Sequence, residues 1–419
     1  MSSLDPRPST PPHHPNFGIQ MSTENIRKLV HLALPEVTLT DIESLPSFKS
    51  FNNRIYFLKC SLQVSNASDL ENKEFVLKIN GRDFSGDKIE NEVSCLRLIE
   101  LFCTGIPVPR AIAWSQDGSK MTVARGNGSA TQPLVEHAFD GNTGGWILMT
   151  RVPGEPIDLS EHNKERLGDL AVQLADHVTD WRQNIPRQVH GGCLRFQENE
   201  YKNSRPDITL IDSREVGANF VIRGILGEGI RCLDPIATVG DYYKVLMENK
   251  LRTLETKETI EPNRGLICPG RMFMQETLPT MSSLNKGADA FVFTHYDLSP
   301  RNVLVSGSPP QITGIVDFEF PGFFPPLDEF LNDYIENSND WPKDVYEVYL
   351  KRLEENGVAT PFKSVDKDHW EHVYLLQQLV QNIAPWFLPG KYQGEGLEEE
   401  LDKSRVLVEE LLERLSHRA

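Results

Sequence analysis

Residues 291–320 read FVFTHYDLSPRNVLVSGSPPQITGIVDFEF, and the spacing of polar residues there decides the reading of the whole chain. Two apolar runs, 291–293 and 312–316, each have the length and β-branched or aromatic character of a strand, and each ends on polar groups. The first delivers His295, Tyr296 and Asp297, followed by Asn302; the second stops at Asp317, with Glu319 just beyond. Taken singly, Asp297, Ser299 and Asn302 are ordinary turn formers. Taken together they supply a carboxylate able to accept a hydroxyl proton, and an amide oxygen and a second carboxylate able to hold a hard divalent cation. Phosphoryl transfer needs that combination.

The N-terminal half carries a second signal. Phe75-Val76-Leu77-Lys78-Ile79 sets a lysine inside an apolar strand, where an ammonium group needs a partner. Downstream, Ile89, Val93, Leu96 and Ile99 form the apolar stripe of a helix, and Glu92 falls on that stripe. Lys78 and Glu92 are therefore expected to satisfy each other. Asp87 and Glu90 are spaced as a capping box for the same helix.

This pattern resembles the aminoglycoside phosphotransferase and choline kinase-like enzymes, relatives of the protein kinases, from about residue 47 to residue 330. The resemblance implies Asp297 as catalytic base, Asn302 and Asp317 as metal ligands, ATP and Mg²⁺ as cofactors, and Lys78 with Glu92 as the pair that places the nucleotide phosphates. It further implies a nucleotide-covering hairpin at residues 47–54, with backbone amides and the Ser50, Asn52 and Asn53 side chains as phosphate contacts. An inter-lobe hinge at 145–154, including Met149 and Arg151, would face the adenine edge. The sequence departs from the family at two places. The hairpin contains no glycine, and Tyr296 stands where the family usually has Gly or Arg.

The implied fold class is α+β and protein-kinase-like, with a small antiparallel-sheet N-lobe and a larger, mostly helical C-lobe. The expected organisation is a disordered tail over 1–20, the N-terminal lobe over 21–150 and the helical lobe over 151–419. The last holds the catalytic loop 295–302, Asp317 and a probable insertion at 195–229. Helices are expected at 21–34, 88–102, 161–183, 240–254, 342–355, 369–383 and 397–415, and strands at 48–60, 74–80 and 146–151.

Composition narrows the partners. A formal charge of -17 repels phosphate backbones and anionic bilayers, so neither nucleic acid nor membrane is expected. No apolar run has the length of a membrane span, and the first twenty residues lack an apolar signal core, which points to the cytoplasm. The six cysteines show no Cys-x-x-Cys spacing, against a zinc site or a disulfide scaffold. P-loop, Rossmann, serine-hydrolase and zincin motifs are missing. The expected activity is transfer of the γ-phosphate of ATP to a hydroxyl of a small molecule: aminoglycoside-like, choline-like or a specialised metabolite. A catalytically silent, kinase-shaped binding or scaffold protein is the alternative. Oligomeric state is not legible.

Overall fold

A computed structural model describes residues 14–46, 49–62, 72–82, 84–124, 134–141, 143–196, 220–226, 234–281, 284, 291–331 and 341–417. The chain divides into two compact units, one built from Met1–Pro156 and Val303–Phe320, the other from Ile157–Ile211, Phe220–Asn302 and Pro321–Ala419. Residues 303–320, which follow the loop 295–302 in the chain, thus pack with the N-terminal unit.

The first unit opens with helix α1 (Thr23–Ala33), whose N-cap Ser22 accepts the Asn25 amide. Strands β1 (Val37–Ser44), β2 (Asn53–Leu62) and β3 (Asn72–Asn80) follow, then helix α2 (Gly86–Phe102). Strands β4 (Ala111–Ser115), β5 (Lys120–Ala124), β6 (Leu134–Ala138) and β7 (Trp146–Thr150) complete the sheet. All seven are antiparallel to their neighbours, in the order β1-β2-β3-β7-β4-β5-β6. Alternation along a strand fixes which side chains meet which layer. Leu58 and Cys60 of β2, and Phe75, Leu77 and Ile79 of β3, join Ile26, Leu29 and Val30 of α1 in one apolar cluster. Lys78 must then point to the opposite face, where α2 lies. Strands β1, β4, β5 and β6 escape the sequence reading because they are short or polar along one edge.

Two sequence expectations change here. Residues 14–20 are not a free tail, since Asn16 is buried and Met21 donates its amide to the Tyr56 hydroxyl. Helix α2 is entered through Ser85 with no side-chain cap, so the capping box at Asp87 and Glu90 does not form. Lys88, in the first turn of α2, is buried.

After β7 the chain turns at Pro153-Gly154, where Gly154 has φ +107°. A Cβ there would sit 2.4 Å from the Thr313 hydroxyl, so only glycine allows the strand Gln311–Ile315 to approach. That strand pairs with Val303–Ser306, which pairs with Glu155–Pro156.

The second unit is mostly helical. Helix Lys164–Asn184 packs on Lys343–Glu355, Lys367–Ile383 on Glu395–Ser416, and Val239–Thr256 on Lys367–Ile383. Asn163, Thr238 and Asp366 cap three of these by accepting backbone amides. Short strands Val292–Thr294 and Gly322–Phe324 pair at the core, where Trp181 lies edge-on to Phe293. Phe318, Phe323 and Phe324 are buried packing residues. The predicted insertion at 195–229 lies largely outside the described residues; its ends form the pair Cys193–Phe196 with Phe220–Arg223. Among the described residues no helix is long and apolar enough to cross a membrane. The fold class is the α+β arrangement expected, an antiparallel-sheet unit and a larger helical one.

Candidate active site

In the first unit the predicted residues Lys78, Glu92 and Asp317 come together. The Lys78 ammonium, 5% exposed, lies 3.0 Å from Glu92 Oε1, 3.0 Å from Asp317 Oδ1 and 2.7 Å from Glu319 Oε1. Burial opposes its charge, but Glu319, Glu92 and Asp317 outweigh that and hold its pKa well above the ordinary lysine value. Burial raises the Glu92 carboxyl despite Lys78. Burial and then the Glu319 charge push Asp317 upward as well. Asp317 itself adopts φ 71°, a left-handed conformation uncommon for a side chain with a Cβ and characteristic of constrained sites.

Glu319 and Lys88 were not assigned to the cluster from sequence, yet they complete it. Lys88 Nζ is 3.0 Å from Glu319 Oε2 and lies over the Phe84 ring at 4.0 Å. Although burial alone would raise Glu319, the two ammonium groups hold its carboxyl far below the usual range. A signal existed in the sequence. Lys88 stands four residues before Glu92 and so shares its inward helical face.

The remaining nucleotide contacts expected in this unit are placed as follows. Asn52 donates to Glu319 Oε2 at 3.1 Å, and the Ser50 carbonyl accepts from the Asn16 amide. Met149 is buried in β7 opposite Val76. Arg151 pairs with Glu74 at 3.2 Å and lies over the Phe57 ring at 4.5 Å, so its guanidinium is already engaged within the sheet.

In the second unit the loop after Val292–Thr294 positions Asp297 and Asn302. Asn302 Nδ2 donates to the Asp297 carbonyl at 2.9 Å, which leaves its Oδ1 as the atom able to meet a cation. The Asp297 carboxylate accepts from Ser299 Oγ at 2.9 Å and from Arg301 Nη2 at 2.7 and 2.6 Å. Its backbone amide donates to His295 Nδ1 at 3.3 Å. Tyr296 takes φ 76°, which explains why glycine suits that position and why a tyrosine there must be held by its surroundings. The ring is held: it packs against Phe324 at 5.9 Å, and Gln377 and Tyr242 hydrogen-bond it.

Beneath this loop lies a buried pair not foreseen from sequence, Asp328 and Glu329. Glu329 accepts the His295 amide at 3.2 Å and pairs with Arg182 at 3.2 Å, fixing the strained turn from below. Two adjacent acids inside the apolar run 323–331 were the available clue. Asp328 accepts the Tyr242 hydroxyl at 2.5 Å, and burial pushes its carboxyl up to about 7. A folded-state pKa above the unfolded one means the native state retains a proton that the unfolded chain has lost. This group's contribution is therefore fully present below about pH 4 and lost as pH rises toward 7. Asp328→Asn should stabilise the chain relative to wild type at pH 8 by on the order of 2 kcal/mol, with the gap closing near pH 4. Melting curves across that range test this, and a pH-independent gap would contradict it.

Among the described residues no group of three His, Cys, Asp or Glu side chains forms a metal cage. Asp317 in the first unit and Asn302 in the second each carry a hard oxygen donor of the kind Mg²⁺ prefers, an ion usually completed by phosphates and water rather than by protein alone.

Comparison with known proteins gives a family profile described as Phosphotransferase enzyme family, matching residues 271–358. That segment contains Asp297, Asn302 and Asp317, and the family is the one the sequence pattern resembles. A search of curated proteins gave no match. Among solved structures the chain is similar to the ADP-bound aminoglycoside phosphotransferase APH(2'')-Ib, at 12% identity over 94% of this chain and 97% of that one, with a TM-score of 0.49. It is similar to the gentamicin complex of APH(2")-IIa at 12% identity over 95% and 96%, TM-score 0.49. The amicoumacin kinase hAmiN in complex with AMP-PNP, Ca²⁺ and Ami matches at 12% identity over 94% of each chain, TM-score 0.46.

Proposed function

We propose that the chain is a small-molecule kinase that transfers the γ-phosphate of ATP to a hydroxyl of an aminoglycoside-like, choline-like or specialised metabolite. The observation that carries the reading is Lys78, held at 3.0 Å from both Glu92 and Asp317 and thereby fixed where an anionic phosphate would be met by a rigid charge. Asp297 accepts the hydroxyl proton; Ser299 Oγ orients its carboxylate, and the Asn302 bond to its backbone carbonyl holds the loop that carries it. The resemblance assigns Mg²⁺ ligation to Asn302 and Asp317, and each would offer the ion an oxygen donor. Bound ATP supplies the electrophilic phosphoryl group. Catalysis is then mainly placement and charge neutralisation.

A catalytically silent binding protein is the alternative that Arg301 favours, because its guanidinium occupies both Asp297 oxygens. Arg301 is 59% exposed, however, and an exposed i,i+4 pair is worth roughly 0–1 kcal/mol. A bound acceptor hydroxyl can displace it at little cost. Following ADP release across a panel of hydroxyl compounds, with ATP and Mg²⁺, separates the two readings. The kinase should release ADP with at least one acceptor and show a melting shift with ATP that needs Mg²⁺. A chain that ATP and Mg²⁺ stabilise without any ADP release would be the silent protein.

A further inference from the structure

The turn at residues 50–53 is bound on two sides. On one side its four carbonyls all have donors. The Asn16 side-chain amide donates to Ser50 O and, at 3.2 Å, to Asn53 O; the Asn16 backbone N–H donates to Phe51 O at 3.4 Å; and Gly81 N–H donates to Asn52 O at 3.0 Å. Arg82 N–H in turn donates to Pro15 O at 3.0 Å, and the His14 ring tilts onto Phe51 at 4.5 Å. A Cβ at residue 81 would stand 2.5 Å from Asn52 O and 2.7 Å from Pro15, so the glycine there is what lets the three segments close up. On the other side both asparagine side chains are engaged. Asn52 and Asn53 donate to the two oxygens of Glu319, and Asn53 Oδ1 accepts from Lys88 at 2.8 Å.

We infer that Asn16 and Glu319 are positioning residues for the nucleotide, clamping the glycine-free turn 50–53 so that it meets phosphate with its carbonyls turned away. This rests on the functional reading above, together with the resemblance that makes residues 47–54 the nucleotide-covering hairpin and the bonds that join the turn through Glu319 to Lys78. The chemistry is direct. A carbonyl oxygen facing a phosphate repels it, and a turn free to rotate its peptide units would expose one part of the time. Bonds to Asn16 and Gly81 remove that freedom before the ligand arrives, so the ordering cost is not met on binding. Glu319 accordingly acts through Asn52, Asn53 and Lys78 rather than as a metal ligand. Its two oxygens are already taken by two ammonium groups and two amides.

The test uses the full chain with Asn16→Ala and, as a second variant of unchanged size that cannot donate, Asn16→Asp. Two quantities are read: hydrogen exchange at the Gly81 and Arg82 amides, and the steady-state constants for ATP hydrolysis with water as acceptor. Both variants should exchange faster at these amides, and KM for ATP should rise about tenfold with kcat and the half-saturating Mg²⁺ concentration unchanged. If exchange quickens while KM for ATP stays put, the segment is structural only and the inference fails. Unchanged exchange shows that no clamp exists and also defeats it. A rise in the Mg²⁺ requirement for Glu319→Gln would make that residue a metal ligand and overturn the positioning role given to it. A wild-type chain that neither binds nor hydrolyses ATP overturns the functional reading and with it the role given to the clamp, while the exchange rates still report whether the clamp forms.

Discussion

Asp297→Ala is expected to lower turnover by roughly 10²–10⁴, the usual worth of a positioned general base, with nucleotide affinity changed little. The asymmetry follows from what each group touches. Asp297 engages Ser299, Arg301 and the backbone of its own loop, whereas Lys78 is held by Glu92, Asp317 and Glu319. Removing the carboxylate also leaves Arg301 without its partner, but that side chain is exposed and water replaces the bond cheaply. The loop should keep its shape, because the left-handed Tyr296 is held by Phe324 and the neighbouring His295 amide by Glu329. Steady-state kinetics on the acceptor identified by ADP release, together with titration of a fluorescent ATP analogue, give both numbers. Wild-type turnover in the purified variant would remove Asp297 from the chemistry. A matching loss of nucleotide affinity would show instead that the loop had been disturbed.

The Lys78–Glu92 pair was legible because local pattern determines it. A strand exposes alternate residues to opposite faces, and a helix brings positions three and four apart together, so a lysine in an apolar strand and a glutamate on an apolar stripe point to each other before any coordinates exist. The helices of the second unit were legible for the same reason. What was missed depends on residues far apart in the chain. Asn16, Asn53, Lys88 and Glu319 give no sign of one another in the sequence, and only the approach of residues 14–17, the start of β2, the first turn of α2 and the segment after Asp317 turns them into a buried network. Asp328 and Glu329 were hidden differently: nothing local says that a pair of acids lies under a loop some thirty residues earlier in the chain.

Lys78→Met should be the most damaging single change in the first unit, lowering its stability by about 3–5 kcal/mol as well as abolishing phosphate placement. The ammonium group stands among three carboxylates, two of them with side chains only 3% and 2% exposed, and methionine keeps the volume while deleting the charge. Lys88 cannot compensate. It remains bonded to Glu319 and Asn53 and makes no ion pair with Glu92, whose second oxygen already lacks a hydrogen-bond partner. Losing an ion-pair partner inside a protein costs more than the intact pair contributed, because the remaining charges stay desolvated. The buried acids would relieve this by taking up protons, and the sign of the pH dependence follows. With folded-state carboxyl pKa values raised above their unfolded values, the variant's stability falls as pH rises through the folded values, so its deficit against wild type should widen from pH 5 to pH 8. Urea unfolding of both proteins at the two pH values measures the deficit. An equal deficit at both would mean that Glu92 and Glu319 do not depend on Lys78 for their charge, and no deficit at all would remove the ammonium from the centre of the cluster.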